Sequence, residues 1–311
     1  MPTPLVVSLP DDRLVAELGA LRDPVPAGSV EWVTWSLDGP PPVPRIDLVV
    51  LPYMSLGDHL HWLEGVDAGL LQSQSIGYDH VSEQLPAGHV FANATTVHET
   101  ATAELTVALL LASQRGLDDF VRQAESGTWR GGFRPSLADR TVLLLGYGGV
   151  GAAIEARLAG FELAEVVRVA STARDTAAGH VHGIAELPAL LPAADVVVIG
   201  TPLTDATRGL VGAEELALLH DDALVVNIAR GPVLDTAAML AEAGRLRFAL
   251  DVTDPEPLPA DHPLWHAPGV LISPHIGGAA SAMAPRMARL LRRQIGHLLA
   301  GEGAENVVLR S

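Results

Sequence analysis

The stretch of residues 142–151 constrains the fold of this chain more than any other part of the sequence. Four apolar residues run into three glycines spaced as G-x-G-x-x-G, and residues 152–158 continue as a helical pattern. A buried parallel strand that enters a glycine turn and then a helix is the arrangement that binds dinucleotides. A plain glycine turn of an α/β domain is the alternative interpretation.

The glycines of this turn have distinct tasks in a dinucleotide site. Gly146 permits the tight turn, Gly148 leaves room for a pyrophosphate, and Gly151 lets the helix pack on the strand. The helix N-terminus then offers free N–H groups and a positive dipole end to the phosphates. The residues predicted to contact a dinucleotide at this turn are Gly146, Tyr147, Gly148, Gly149, Val150 and Gly151.

Composition excludes several classes of function. The 311 residues are 48% hydrophobic and 18% charged, which suits folded domains and is long enough for two. A net charge of -17 argues against nucleic acid or an anionic membrane as the main partner. The chain has no cysteine and no lysine, which excludes disulfides, a thiol nucleophile and a Schiff-base lysine. We see no signal-peptide pattern and no apolar run of membrane-spanning length, so we expect a cytoplasmic protein.

Strand and helix patterns alternate along the chain. A first series of short strands occupies residues 1–95, and a second series starts at residue 141. A long helical pattern covers residues 98–125, and a closing helix covers residues 282–300. This alternation predicts an α/β fold with parallel sheets covered on both faces. Ligands of such sheets bind at the carboxyl ends of the strands.

Charged side chains follow three successive predicted strands of the second series. Arg230, Glu256 and His275 each come shortly after a buried strand and beside glycine or proline. Each one alone has an ordinary explanation as a surface or loop residue. Because the carboxyl ends of neighbouring parallel strands meet at one edge of a sheet, the three together predict a site near the dinucleotide.

Four motifs of the second half of the chain are informative in combination. Residues 146–151, 227–235, 250–259 and 273–278 read GYGGVG, NIARGPVLD, LDVTDPEPLP and SPHIGG. Together they resemble the D-isomer-specific 2-hydroxyacid dehydrogenases. The resemblance implies two Rossmann-like, doubly wound parallel-sheet domains with an active-site cleft between them, and a homodimer formed through the cofactor domain.

The same resemblance implies domain boundaries. Residues 1–97 and 282–311 would form a flavodoxin-like substrate-binding domain, and residues 98–281 a dinucleotide-binding Rossmann domain. One departure from the family pattern is that residues 239–249 form a shorter helix and turn than usual. The placement of Asp251 and Glu256 relative to Arg230 is therefore a point for the structure to decide.

The resemblance also implies a role for each charged side chain. Arg230 would hold the substrate carboxylate and polarise the C2 carbonyl, which suits its planar guanidinium. His275 would exchange a proton with the carbonyl oxygen. Glu256, preferred over Asp254, would orient the imidazole and favour its protonated form. Asp251 resembles the residue that contacts the nicotinamide amide.

Loop residues complete the implied site. The substrate would lie against Tyr53, Met54, Ser75, Ile76 and Gly77. Further contacts to the dinucleotide would come from Thr201, Pro202, Ile228, Ala229, Gly277 and Gly278.

The second strand of the dinucleotide-binding pattern indicates which cofactor is used. NAD-binding sequences end this strand with an acidic residue that binds the ribose 2′-OH, whereas Ala170 or Ser171 stands there in this chain. With no carboxylate to repel it, a 2′-phosphate could bind to Ser171, Thr172 and Arg174. We therefore predict NADP in preference to NAD. Asp175 is the competing ribose ligand if the strand runs longer.

The histidines give no metal motif on sequence grounds. The pairs His59/His61 and His180/His182 fall in predicted loops. The i,i+4 pair His262/His266 is interrupted by proline, which argues against a metal-binding helix. We therefore predict no metal site.

The resemblance implies an NAD(P)-dependent dehydrogenase or reductase of small anionic 2-keto and 2-hydroxy acids, R specific at C2. Glyoxylate, hydroxypyruvate or a larger 2-keto acid all fit. The alternative is a non-catalytic protein of the same fold that senses a dinucleotide, against which the presence of Arg230, Glu256 and His275 argues. A third interpretation takes phosphite or formate as hydride donor. Formate enzymes of this superfamily have glutamine in place of Glu256, so this interpretation ranks lowest.

Overall fold

The computed structural model describes residues 3–54, 59–79 and 81–311. The chain divides into two compact units, one formed by Met1–His98 with Ala280–Ser311 and the other by Glu99–Ala279. Each unit contains its own sheet. The α/β class with mostly parallel sheets that the sequence predicts is confirmed.

Strands and helices alternate along most of the described residues. The strands are β1 (Leu5–Leu9), β2 (Val30–Thr34), β3 (Arg45–Val50), β4 (Asp67–Gln72), β5 (Val90–Ala92), β6 (Thr141–Leu145), β7 (Glu165–Ala170), β8 (Arg174–Thr176), β9 (Gly179–Gly183), β10 (Val196–Ile199), β11 (Leu224–Asn227), β12 (Arg247–Leu250), β13 (Val270–Ile272) and β14 (Val307–Arg310). The α-helices are α1 (Arg13–Gly19), α2 (Val81–Gln84), α3 (Glu99–Arg115), α4 (Leu117–Glu125), α5 (Gly149–Leu158), α6 (Leu187–Leu190), α7 (Ala213–Leu218), α8 (Thr236–Glu242) and α9 (Met283–Ala300).

The sheet of the first unit has the strand order β2-β1-β3-β4-β5-β14. Strands β1 to β5 pair in parallel, and β14 adds to the edge of β5 antiparallel. Helices α1 and α9 bury Leu14, Leu18, Leu290 and Leu291 against one face of this sheet. The loops that follow β3 and β4 leave the sheet side by side, at the end where parallel sheets bind ligands.

The sheet of the second unit has the order β8-β9-β7-β6-β10-β11-β12-β13. All neighbours are parallel except the β8–β9 hairpin. From β6 the chain runs outwards to β7, and after the β8–β9 hairpin it crosses back to β10 on the other side of β6. This reversal of strand order between β6 and β10 creates the crevice in which dinucleotides bind on such sheets.

Two predictions of local structure are wrong. The single helix expected over residues 98–125 is two helices, α3 and α4, because Gly116 has a left-handed backbone with φ +63° that ends the first. His180 and His182 lie on strand β9 rather than in a loop. That strand is short and polar, so its formation depends on pairing with β7 and β8 and leaves little periodic signal in the sequence.

No helix among the described residues is long and apolar enough to cross a membrane.

Candidate active site

The glycine turn after β6 is packed against the turn after β10. Gly146 has φ +110°, and a Cβ added to it would lie 2.5 Å from the carbonyl carbon of Gly200. A Cβ on Gly151 would lie 2.5 Å from the carbonyl oxygen of Gly146. Real Cβ atoms do not approach backbone so closely, so glycine is required at both positions. The two turns therefore meet at the switch point of the sheet, as a dinucleotide site requires.

The space beside Gly148 suits a pyrophosphate. Gly148 precedes the first residue of α5 in an extended conformation, and a Cβ added there would meet no described atom within 4 Å. Thr201, from the neighbouring turn, is 7% exposed, and its hydroxyl has no hydrogen-bond partner among the described residues. Buried hydroxyls are normally satisfied, so a polar ligand group at this turn would complete it. The cradle and the orphaned hydroxyl both fit a dinucleotide.

The side chain of Tyr147 is engaged beneath the turn. Its hydroxyl donates a hydrogen bond to Glu155 at 2.6 Å, and Glu155 forms an ion pair with Arg168. The Arg168 guanidinium also lies over the Tyr147 ring, 5.7 Å from its centroid. Tyr147 therefore links α5 to β7, and its predicted contact to the dinucleotide would be made by its backbone.

The segment after β7 carries the residues expected at the adenosine ribose. Strand β7 ends at the buried Ala170, and Ser171 and Thr172 follow as exposed residues. Arg174 donates a hydrogen bond to the carbonyl oxygen of Tyr147 at 2.7 Å, which brings its guanidinium to the glycine turn. Asp175, the competing ribose ligand, pairs instead with His180 at 2.8 Å.

The three strand ends predicted to carry the chemistry are neighbours. In the sheet register Asn227 lies beside Leu250, and Leu250 beside Ile272. A Cβ added to Gly231 would lie 1.9 Å from the carbonyl oxygen of Thr253, so the loops after β11 and β12 touch directly. The shorter segment at residues 239–249 therefore leaves Arg230 and the carboxylates on adjacent strand ends.

His275 and Glu256 form a hydrogen-bonded ion pair through Nδ1 and Oε1. His275 has φ +52°, a left-handed conformation that is uncommon outside glycine and that occurs often at functional sites. Burial by itself would raise the pKa of the Glu256 carboxyl, but the hydrogen bond to His275 and the charge of Arg230 hold it below its ordinary value. Glu256 is therefore a carboxylate partner that fixes the imidazole and leaves Nε2 for a ligand.

Asp251 holds the turn that carries His275. Its buried carboxylate accepts hydrogen bonds from the Ser273 hydroxyl at 2.6 Å and from the backbone N–H of Ile276 at 2.9 Å and of Gly277 at 2.8 Å. Its backbone carbonyl accepts a further bond from the N–H of His275 at 2.7 Å. The role expected for Asp251 was a contact to nicotinamide, and the structure adds a positioning role that the sequence pattern does not reveal.

Arg230 is held by its own loop. Its guanidinium donates to the carbonyl oxygen of Ala229 at 2.7 Å, and its backbone carbonyl accepts from the buried Asn227 side chain at 3.0 Å. Asn227 also accepts from the N–H of Ala229 at 3.1 Å. Asn227 was not predicted as a site residue, although a buried amide at a strand end beside an arginine is a signal that sequence reasoning could use.

The remaining predicted dinucleotide contacts lie in the same unit. Ile228 is almost fully buried and packs against Gly200, at the turn that also carries Thr201. Gly277 lies against the Asp251 carboxylate, where a Cβ would approach Oδ2 to 2.9 Å. Both lie in loops that follow strands of the second sheet, as do the predicted contacts Pro202 and Gly278, whereas Gly149 and Val150 are the first two residues of α5.

The predicted substrate residues form a second group, in the first unit. Tyr53 and Met54 follow β3, and Ser75, Ile76 and Gly77 follow β4. Met54 is 57% exposed and has a left-handed φ of +63°.

Three buried polar side chains missed by the sequence analysis hold these loops. The Gln74 amide donates to the Leu51 carbonyl at 2.9 Å, and the Asn93 amide donates to the Ile76 carbonyl at 2.9 Å. His98 stacks on the ring of Tyr53. Their signal is weak, because a buried Gln, Asn or His cannot be told from an exposed one without the fold.

Comparison with known proteins adds independent information. The profile of the D-isomer specific 2-hydroxyacid dehydrogenase NAD binding domain matches residues 107–277. A glyoxylate reductase of Thermofilum pendens is 32% identical over 246 residues, covering 75% of this chain and 72% of that protein. The glyoxylate reductase/hydroxypyruvate reductase of Homo sapiens is 30% identical over 295 residues, covering 88% and 89%.

A solved structure extends the similarity to the whole chain. A D-isomer specific 2-hydroxyacid dehydrogenase of Xanthobacter autotrophicus Py2, in complex with NADPH and MES, aligns with a TM-score of 0.81. The alignment covers 99% of this chain and 98% of that one at 26% identity.

Proposed function

We propose a specific reaction for this chain, which belongs to the D-isomer specific 2-hydroxyacid dehydrogenase family and is an NAD(P)-dependent oxidoreductase acting on 2-hydroxy acids. The reaction is the reduction of a small 2-keto acid, of the size of glyoxylate or hydroxypyruvate, with R configuration at C2 of a chiral product. The names of the relatives support this substrate size. The observation that carries the proposal is the His275–Glu256 pair beside the loop of Arg230.

Each charged residue has one task in this reaction. Arg230 binds the substrate carboxylate through its planar guanidinium and places the C2 carbonyl. His275 donates a proton from Nε2 to the carbonyl oxygen as the carbonyl is reduced, and accepts it in the reverse direction. Glu256 accepts a hydrogen bond from Nδ1 of His275, which keeps the imidazole oriented with Nε2 available for the substrate. The nicotinamide, when bound, supplies the hydride.

The first unit supplies the substrate contacts in this proposal. Tyr53, Met54 and the loop at Ser75, Ile76 and Gly77 bind the carboxylate and the side chain of the 2-keto acid. The buried anchors of these loops support the assignment, because a loop held by internal hydrogen bonds loses little entropy when it binds. The side chain at position 76 and the exposed Met54 would then limit the size of the substrate.

The proposal is tested by following NADPH and NADH absorbance with a panel of 2-keto acids. We expect turnover with small 2-keto acids, and a loss of at least 100-fold in kcat for His275→Ala. His266→Ala, which changes a histidine outside the site, should leave the rate unchanged. A protein that binds NADPH by fluorescence but oxidises it with no keto acid would be a sensor, and the proposed reaction would be rejected.

We propose NADP as the preferred cofactor. Three observations support it: β7 ends without an acidic residue, the Arg174 guanidinium lies at the glycine turn, and Asp175 is paired with His180. The similar structure from Xanthobacter autotrophicus was solved with NADPH. In this proposal Ser171, Thr172 and Arg174 bind the 2′-phosphate.

We propose a homodimer formed through the second unit. The apolar side chains Leu117, Phe120 and Val121 of α4 are exposed, and Trp129 and Phe133 in the following coil are fully exposed. A cavity of about 410 Å³ lies beside α4, with Leu111 and Phe120 in its wall. Apolar patches of this kind mark interaction surfaces, and a second copy that offers the same patch would cover it.

The dimer is tested by light scattering during gel filtration. Trp129→Ser combined with Phe133→Ser should halve the measured mass, whereas Trp265→Ser, at an exposed tryptophan outside this patch, should not. A wild-type protein that elutes as a monomer at micromolar concentration would refute the dimer.

We also propose a cytoplasmic location, since the reaction draws on the NAD(P) pools found there. Cell fractionation that recovers the activity elsewhere would contradict it.

A further inference from the structure

A cluster of titratable side chains lies outside the proposed reaction, on the β8–β9 hairpin. His180 and His182 are two residues apart on β9, so their side chains point to the same face of the strand. Asp175 on β8 is directly opposite His180 in the antiparallel register. Glu186 ends the short 3-10 turn Ile184–Glu186 that follows β9.

The geometry of the cluster is close. His180 Nδ1 lies 2.8 Å from Asp175 Oδ1, and His182 Nδ1 lies 2.8 Å from Glu186 Oε2. The two imidazole rings meet edge to face with their centroids 4.8 Å apart. His180, His182 and Glu186 each offer one ligand atom, an imidazole nitrogen or a carboxylate oxygen, and these three atoms lie within 4.8 Å of one another.

We propose that His180, His182 and Glu186 bind a divalent transition-metal cation, Zn²⁺ being the probe of choice. Two imidazoles and a carboxylate form a donor set that zinc accepts in proteins. The carboxylate of Asp175 accepts a hydrogen bond from Nδ1 of His180, so Nε2 is the nitrogen of that ring that remains as a metal ligand. Metal-binding histidines commonly have such a carboxylate behind them, since it fixes the tautomer and the ring orientation.

The site can close on an ion with small movements. Tetrahedral zinc with bonds of about 2.0–2.1 Å separates its ligand atoms by about 3.3 Å. The ligand atoms of the cluster are therefore farther apart than in a closed site by at most about 1.5 Å. The side chains of His180 and Glu186 are 51% and 47% exposed and that of His182 is 30% exposed, so they are free to make this adjustment. The exposed side of the cluster leaves room for water as the fourth ligand.

Binding at this cluster would tie the hairpin to the turn that follows it. Asp175 and His180 belong to the two strands of the hairpin, and Glu186 lies beyond it. Strand β8 is three residues long and forms the edge of the sheet, so few other interactions hold it. The cation would act as a cross-link at this edge. The proposal is independent of the reaction, because none of these four residues is assigned to it.

This inference departs from the absence of metal predicted by the sequence. In a loop, a spacing of two residues between His180 and His182 does not place the two side chains together. On a strand the same spacing places both rings on one face, and the turn after β9 brings Glu186 to them.

The experiment measures Zn²⁺ binding to the full-length, tag-free protein after treatment with EDTA and dialysis. Competition with a chromophoric chelator gives the stoichiometry and Kd, and Co²⁺ gives a visible spectrum that reports the coordination number. The chain has no cysteine, so thiol binding does not contribute. We expect one ion per chain, with affinity at least tenfold weaker in His180→Ala, His182→Ala and Glu186→Gln.

A matched control is available in the same chain. His297 forms a pair with Glu302 at 2.7 Å, a histidine–carboxylate contact like that of His182. His297→Ala should leave Zn²⁺ affinity unchanged. In wild-type protein, Zn²⁺ should also slow hydrogen exchange of the β8–β9 amides, and it should not do so in His182→Ala.

Two results would overturn the proposal. The first is Zn²⁺ affinity that is the same in wild type and in the three cluster variants, all of them folded by circular dichroism and able to bind NADPH. The second is a single ion that is lost in His275→Ala and kept in His182→Ala, which would place it in the active site. In either case the cluster contains ion pairs only.

Discussion

The exchange Asp251→Asn tests how the second unit positions His275. The Asp251 carboxylate accepts three hydrogen bonds from the turn at residues 273–277, at 2.6, 2.9 and 2.8 Å. An asparagine has the same shape but offers one acceptor oxygen and one NH₂ group. If the NH₂ group of the asparagine points to the N–H of Gly277, two hydrogen-bond donors face each other. If the NH₂ group instead takes the position of Oδ1, the Ser273 hydroxyl can rotate and accept a hydrogen bond from it, but the N–H of Ile276 has no acceptor.

The magnitude follows from these contacts. A hydrogen bond to a charged group contributes about 1.5–3 kcal/mol, and a buried donor left unpaired costs about 1–3 kcal/mol. We therefore expect a loss of about 3 kcal/mol in the free energy of unfolding, or roughly 6–12 °C in Tm for a unit of this size. The turn that carries His275 shifts, and a misplacement of about 1 Å at a catalytic group lowers kcat by about 100-fold.

The assay combines thermal unfolding with steady-state kinetics. Ser273→Ala is the matched control, because it removes one of the three bonds and keeps the charge, so its loss should be about 1.5 kcal/mol, the lower end of the range for one such bond. If Asp251→Asn keeps the wild-type Tm and kcat and raises only the KM for NADPH, the carboxylate serves the nicotinamide alone and the positioning argument is refuted.

Three further predictions concern other parts of the site. Glu256→Gln should lower kcat about 100-fold. In wild type the pKa of Glu256 is lowered, so the His275–Glu256 pair is intact above the ordinary glutamate pKa and is lost as pH falls through the lowered value. An acid limb of the pH–rate profile that is the same in wild type and Glu256→Gln would contradict the pairing. Arg174→Ala should raise the KM for NADPH at least tenfold and leave that for NADH unaffected, and equal effects on both would sink the 2′-phosphate assignment. Gly231→Ala places a Cβ 1.9 Å from the Thr253 carbonyl oxygen and should lower the free energy of unfolding by about 1–3 kcal/mol and abolish most of the activity. Gly160→Ala, where a Cβ would meet open space, should be tolerated. Calorimetry that shows equal stability for the two variants would disprove the close contact.

Much of the candidate site could be predicted from the sequence, because the patterns that indicate it lie within short stretches of the chain. The glycine turn at residues 146–151 combines an apolar strand, fixed glycine spacing and a helix start, and each has its own signature. Arg230, Glu256 and His275 follow recognisable buried strands, and the rule that parallel strand ends share an edge brought them together. The His275–Glu256 pair that the structure contains follows from that rule.

The buried residues that hold the loops of the site could not be predicted from the sequence. Gln74, Asn93 and His98 hold the substrate loops through buried hydrogen bonds and stacking, and Asn227 holds the loop of Arg230. Their residue types are common on surfaces, and only burial distinguishes them. The break at Gly116 was missed for a related reason, since a glycine inside a helical pattern is compatible with both a continued and an ended helix.

The sequence by itself determined the α/β class and indicated the glycine turn and the three charged residues of the candidate site, because periodicity, glycine spacing and strand ends are local properties of a chain. Only the tertiary structure decided which side chains and backbone groups contact one another around the candidate site and on the β8–β9 hairpin. Asp251 binds the turn that carries His275, Arg174 donates to the carbonyl of Tyr147, and His182 on β9 pairs with Glu186. Such contacts depend on strand pairing and turn direction between segments far apart in sequence, and a linear pattern carries no distance between them.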